Sequence, residues 1–166
     1  MLPLHINMIG KAIVIAGGGR IATRRLKTVL NQGATITVVS PEVSSDMLEL
    51  MTSHSIDWKR KKVEPEDVKA AFLIILATDH PETNKRIAAT ATAHQLVNVA
   101  SEAKLGNVYV PKIINKGKIT VSVSTNGASP SHTIKLANQI DGLIDDQIVK
   151  EIDGLYQKRR GEGEGE

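Results

Sequence analysis

The tract IVIAGGGRIATRR, Ile13 to Arg25, constrains this chain more than any other stretch. An apolar run ending in three consecutive glycines reads as a buried strand that passes into a tight turn. The segment after the glycines reads as a helix, with Ile21, Ala22, Leu26, Val29 and Leu30 on one stripe and Gly33 as its stop. Gly17, Gly19 and Ala22 carry the spacing Gly-x-Gly-x-x-Gly/Ala. Between a strand and a helix, the first glycine permits the turn and the second lets a pyrophosphate approach the backbone. The alanine then allows close helix–strand packing, and the helix N-terminus faces the phosphates. A plain glycine-rich turn is the competing reading, and the strand–turn–helix context favours dinucleotide binding.

The rest of the chain extends the same alternation. KAIVIAG, ATITVVS, AAFLIILAT and LVNVA read as strands, and IDWKRKKV as a short strand near the sheet edge. Helices are expected from Arg20, from the Ser-Pro pair at Ser40 and across DHPETNKRIAATATAHQ, where Pro81 comes early enough to be tolerated. Every connection is long enough for parallel pairing, so the fold class is α/β, a Rossmann-type parallel sheet. Hydrophobic residues make up 41 % of the chain but aromatics only 2 %, so the core must be built from Ile, Val, Leu and Ala. That composition suits a sheet buried on both faces.

The pattern changes near Pro111. GKITVSVST alternates as a half-exposed strand, NGASP is a turn, and SHTIKLANQI and DGLIDDQIVKEIDGLYQKRR are helical. Leu143, Ile144, Ile148, Ile152 and Leu155 form an apolar stripe on the last helix, suited to packing on its own chain or on a second subunit. The closing GEGEGE buries nothing and is expected to be disordered. The chain is thus divided at residues 1–113, 114–160 and 161–166.

Several classes of function are disfavoured. With no cysteine, disulfides and thiolate metal sites are excluded, and the five histidines show no ligand spacing, so no metal site is expected. His80 and His132 sit at turns after strands, where a site can form. The Tyr-x-x-x-Lys pair of short-chain dehydrogenases is absent. No apolar run approaches the roughly 20 residues of a membrane span, and Met1 to Met8 lacks the basic start of a signal peptide. The cytoplasm is the default location. The net charge of +3 is scattered, apart from KRKK at Lys59 to Lys62 and KRR at Lys158 to Arg160. Both runs read as solvated surface, and neither is interleaved with the aromatics that nucleic-acid binding uses.

The cofactor end can be outlined further. The second strand ends at Ser40, where the fingerprint places an acid for the ribose hydroxyls, and Glu42 lies two residues on. No arginine follows that strand, and Arg24 and Arg25 belong to the helix, so NAD is expected over NADP. With Gly17 and Gly19, the residues expected to line the cofactor are Arg20, Ile21, Ser40, Pro41, Glu42, Ala77, Thr78 and Asn98.

Taken in order, GGGRIATRR, VVSPE, ILATDHPETN, LVNVA, VYVP and VSVSTNGASP resemble the precorrin-2 dehydrogenases, the dehydrogenase domains of siroheme synthases. The resemblance covers Lys11 to about Ile140, and STNGASP is its most specific element. It implies NAD-dependent oxidation of precorrin-2, a polycarboxylate tetrapyrrole, to sirohydrochlorin. It also implies a homodimer, built through the strand at GKITVSVST and the helices beyond it. Ser101 stands where the family carries an aspartate after NV; Ser101, Ser124 and Thr125 are expected to face the substrate, with Ser101 and Ser124 as the candidate catalytic residues. Glu102, if still on the strand, would point the other way. Two alternatives remain open at this point: a bifunctional dehydrogenase–ferrochelatase, and a dimeric nucleotide-sensing module with no chemistry.

Overall fold

The computed structural model describes residues 1–162. They form two compact units, Met1–Tyr109 and a second from Val110 onward. Of the closing residues 161–166, expected to be disordered, 161 and 162 instead continue the last helix, and those from 163 on lie outside the described residues.

The first unit is a five-stranded parallel sheet in the order β3-β2-β1-β4-β5. Its strands are β1 (Ala12–Ala16), β2 (Thr35–Val39), β3 (Asp57–Lys59), β4 (Leu73–Leu76) and β5 (Leu96–Val99). Its helices are α1 (Arg20–Val29), α2 (Ser45–Ser53), α3 (Pro65–Val68) and α4 (Pro81–Ala88). Side chains alternate across a strand, so β1 feeds two separate cores. Ile13 and Ile15 pack with Leu26 of α1 and Met47 of α2, whereas Val14 and Ala16 pack with Val68 of α3 and Ile87 of α4. The expected aliphatic core is therefore split between the two faces of one sheet. The chain winds outward from β1 through β2 to β3, then crosses back to β4, so the sequence order reverses between β1 and β4. In open α/β sheets, ligands bind at the carboxyl ends of the strands beside such a reversal.

Several element boundaries differ from expectation for local reasons. Ile21 is not on the buried stripe of α1 but 43 % exposed, and Thr23 is buried in its place. Ser40-Pro41 does not open α2. The Ser40 hydroxyl donates to the Glu42 carbonyl (2.6 Å), and the cap is Ser44, whose Oγ accepts from the Met47 N–H. α4 stops at Ala88 rather than continuing to Gln95. The Gln95 side-chain amide instead donates to the carbonyls of Val68 and Ala71 (2.8 Å each), an attachment a continuous helix could not reach. Glu102 is not on a strand, because β5 ends at Val99 and a short 3-10 turn begins at Ala103. Strand alternation therefore does not orient its side chain.

The second unit is a hairpin of β6 (Lys112–Lys116) and β7 (Ile119–Val123), with α5 (Pro130–Leu143) and α6 (Asp146–Glu162). Ile114, Val123 and Ala137 form its small core. The helix break falls at Ile144 rather than Asp141, so Leu143 belongs to α5 and Ile144 is its C-cap. Lys116 explains the position: its ammonium donates to the carbonyls of Asp141 (2.7 Å) and Ile144 (2.9 Å), groups that a helix end leaves unsatisfied. Of the expected apolar stripe, Ile148, Ile152 and Leu155 remain on α6, all exposed.

Candidate functional site

The tight turn after β1 does its work through two glycines held by the protein and one left open. Gly17 has φ +117°, and a side chain there would run into the Ala77 carbonyl; one at Gly18 would meet the Glu42 carbonyl. Gly19 has an ordinary φ of −85°, and a Cβ there would meet nothing within 4 Å. The first two glycines thus let neighbouring loops close in, and the third keeps its flank free for something other than protein. Directly after it, α1 begins with no side-chain cap and no acid in its first turn. Its N-terminal N–H groups and the positive end of its dipole are available to an anion.

These glycines form one wall of a cavity of about 360 Å³ beyond the carboxyl ends of β1, β2 and β4. Ser40, Pro41 and Glu42 line it from the end of β2, Lys62 and Val63 from the connection after β3, and Thr78, Asp79, His80 and Thr83 from the start of α4. A hollow of about 410 Å³ under the N-terminal segment is lined by Ile6, Met8, Asn31 and their neighbours and carries no ionisable side chain.

Of the expected cofactor residues, the structure brings Gly17, Gly19, Ser40, Pro41, Glu42 and Thr78 to this cavity. Arg20, Ile21, Ala77 and Asn98 do not line it. Ala77 holds β4 to β1 by donating its N–H to the Ala16 carbonyl (2.8 Å). Asn98 is buried on β5, where Nδ2 donates to the Val108 carbonyl (3.0 Å) and Oδ1 has no hydrogen-bond partner among the described residues. Ser40 is 8 % exposed and its hydroxyl proton is already committed to Glu42, so only Oγ lone pairs remain for a ribose.

Ser101 lies outside the cavity but is tied to its rim. The side chain of Asn84, 1 % exposed, accepts from the Thr78 hydroxyl (2.7 Å) and donates to the Thr78 carbonyl (3.0 Å) and the Ser101 Oγ (3.4 Å). Ser124 and Thr125 belong to the second unit and are engaged in their own turn. Ser124 Oγ accepts from the Asn126 N–H, and Thr125 Oγ1 bonds with Ser129 and Thr133. His80 caps α4 on the cavity edge, whereas His132 pairs with the Ser129 hydroxyl at 2.7 Å.

Sequence reasoning missed Lys62, Val63, Asp79, Thr83 and the bridging Asn84. Lys62 is concealed within KRKK, where the four cations have different environments. Lys59 and Lys61 pair with Asp67 (3.4 and 2.9 Å), Lys61 also with Glu64 (2.7 Å), and Arg60 lies over the Trp58 ring at 4.6 Å. Burial pushes the Asp67 carboxyl up, but hydrogen bonds from Lys61, the Glu64 N–H and Lys59 outweigh it and hold it below its ordinary value.

The family model described as "Putative NAD(P)-binding" matches residues 4–112. A precorrin-2 dehydrogenase of Bacillus subtilis (strain 168) is 54 % identical, over 96 % of this chain and 99 % of its own. One of Priestia megaterium is 35 % identical, over 96 % of this chain and 79 % of its own. A siroheme synthase of Xylella fastidiosa is 32 % identical, but the chain spans only 34 % of its length. Among solved structures, SirC, a precorrin-2 dehydrogenase, superposes with TM-score 0.81 at 35 % identity, over 95 % of this chain and 78 % of that one.

Proposed function

The chain belongs to the precorrin-2 dehydrogenase family, and from that membership we propose that it oxidises precorrin-2 to sirohydrochlorin with NAD. The observation that carries the reading is the cradle at Gly17–Gly19. Two glycines let the β2 and β4 loops close, one flank stays open, and an uncapped helix N-terminus faces the gap. These features fit a dinucleotide pyrophosphate, which needs close backbone approach and N–H donors.

When bound, the nicotinamide supplies the hydride acceptor. The protein's own contribution is placement. Gly19 and the first turn of α1 would hold the pyrophosphate, and Pro41, Glu42 and Val63 would line the adenosine end. Thr78, locked to Asn84, would fix the rim toward Ser101. Ser101 is neutral at ordinary pH and serves here to hold the substrate rather than to take its proton. Glu102, released from strand alternation, is the carboxylate beside it. The relatives named as dehydrogenases, at 54 % and 35 % identity, favour this reading over the sensor and chelatase alternatives.

We also read the protein as a cytoplasmic homodimer. The support for association is the set of exposed apolar residues on the second unit: Ile134 and Leu136 on α5 and Ile148, Ile152 and Leu155 on α6. Among the described residues, no helix is long and apolar enough to cross a membrane. The deciding experiment incubates the protein with precorrin-2 and NAD. NADH and the sirohydrochlorin spectrum should appear together, and neither should appear without protein. A folded, NAD-binding protein that gives no turnover would return the chain to the sensor reading.

A further inference from the structure

We propose that Lys62 forms a subsite for the 2′-phosphate of an adenine dinucleotide, so that the cavity accepts NADP as well as NAD. The inference rests on the dinucleotide reading above and concerns one end of that same cavity.

Three observations carry it. First, Lys62 is the unengaged cation of its run. Lys59 and Lys61 are paired with Asp67 and Glu64 and Arg60 is stacked on Trp58, whereas Lys62 has neither an acid nor a ring partner among the described residues. Second, the connection that carries it is fixed on both sides. Lys59 is in register with Val39 of β2, and its carbonyl accepts the Ser40 N–H (3.1 Å). On the other side Val63 is 3 % exposed, its carbonyl accepts from Arg86 (3.3 Å), and Glu64 and Asp67 close a capping box on α3. Lys62 therefore lines the cavity beside Ser40, Pro41 and Glu42 because the sheet places it there.

Third, the position that most strongly rejects a 2′-phosphate is neutral. An acid at the end of β2 accepts the ribose hydroxyls and repels a phosphate at the same place; Ser40 can still accept through Oγ but carries no charge to repel one. Two carboxylates, Glu42 and Asp79, still line the cavity. A doubly charged phosphate needs a cation to enter beside them, and among the described residues Lys62 is the lysine or arginine that lines the cavity. The sequence favours NAD over NADP because no arginine follows β2. Here a cation comes instead from the connection after β3.

The test is calorimetric titration of the full chain with NAD and with NADP at low salt, for the natural protein, Lys62→Gln and Lys62→Arg. NADP should bind the natural protein within about tenfold of NAD. Lys62→Gln should lower the ratio of NADP to NAD affinity by about tenfold or more, the scale of one charge-assisted contact, and Lys62→Arg should preserve it. Added salt should weaken NADP more than NAD in the natural protein, and this difference should shrink in Lys62→Gln. The inference is overturned if NAD binds and NADP does not, or if Lys62→Gln moves both affinities together. Failure of both dinucleotides to bind would overturn the cradle reading itself, a separate and recognisable outcome.

Discussion

Asn84 and Ser101 are joined by a hydrogen bond of 3.4 Å from a side chain that is 1 % exposed, so the rim after β4 is tied to the segment after β5. The same amide exchanges two further bonds with Thr78. Asn84→Leu removes all three and leaves the Thr78 groups to find new partners. It should cost about 1–3 kcal/mol of stability, the usual penalty for stranding buried polar groups. Ser101→Ala removes only the weakest of the three. Its stability should stay within about 0.5 kcal/mol of the parent while its KM for precorrin-2 rises. Urea denaturation and steady-state NADH formation on both variants check the pair.

The three glycines should separate by mutation. Gly19→Val should fold normally, since a Cβ there meets no neighbour, yet lose NAD binding by about a hundredfold or more because the branched side chain projects where the pyrophosphate must pass. Gly17→Val should instead destabilise the fold, at a backbone angle of +117° and against the Ala77 carbonyl. The sole tryptophan, Trp58, donates its indole N–H to the Ser40 carbonyl at the cavity edge, so its fluorescence can follow the titration. A Gly19→Val protein that binds NAD as the parent does would reduce the cluster to a plain turn.

Acid should loosen the β3–α3 connection. The Asp67 carboxyl is held below its ordinary value of 3.8, so as pH falls the unfolded chain takes up its proton first. The stabilisation is therefore complete above the ordinary carboxylate range and is lost as pH falls through the lowered folded value. Lys61 behaves in the mirror sense: hydrogen bonds to Glu64 and Asp67 raise it above 10.5, so its part is complete below that value and is lost as pH rises through the folded one. Asp67→Asn should lower the urea midpoint near neutral pH and flatten its fall toward about pH 3. An unchanged acid limb would show that the ion pairs at Asp67 do not bear on stability.

Assembly is tested on α6. Ile148→Glu with Leu155→Glu places charges at two exposed apolar positions and removes no contact of the small core around Ile114, Val123 and Ala137. If this face joins two copies, sedimentation should show a dimer for the parent and a monomer for the variant, with circular dichroism unchanged. A dimer that survives both charges places the interface elsewhere.

The parts of the fold visible in the sequence are those fixed by neighbours a few residues apart. β1, the glycine turn and α1 follow from an apolar run, a cluster without side chains and a helical stripe, all within Lys11 to Gly33. The helix break at Ile144 is hidden from such reasoning because Lys116 sets it from 28 residues away. Lys62 looks like its three basic neighbours, since only the pairing of β3 with β2 brings it to the cavity. Ser40 suggests a helix cap by its place before proline, and its short bond to Glu42 redirects it. Asn84 gives no local signal at all, because its partners Thr78 and Ser101 lie on either side of a complete helix–strand unit.

Gly18 joins the loops after β1 and β2. Its carbonyl accepts the Ser44 N–H at 2.8 Å, and its α-carbon sits against the Glu42 carbonyl too closely for a methyl group. The loops after β1 and β2 are thus fastened backbone to backbone before any nucleotide arrives, and their ordering entropy is already settled during folding. A nucleotide meets a finished wall rather than a lid that must close over it. Association in a stopped-flow experiment should accordingly rise in proportion to nucleotide concentration, with no plateau from a slow isomerisation.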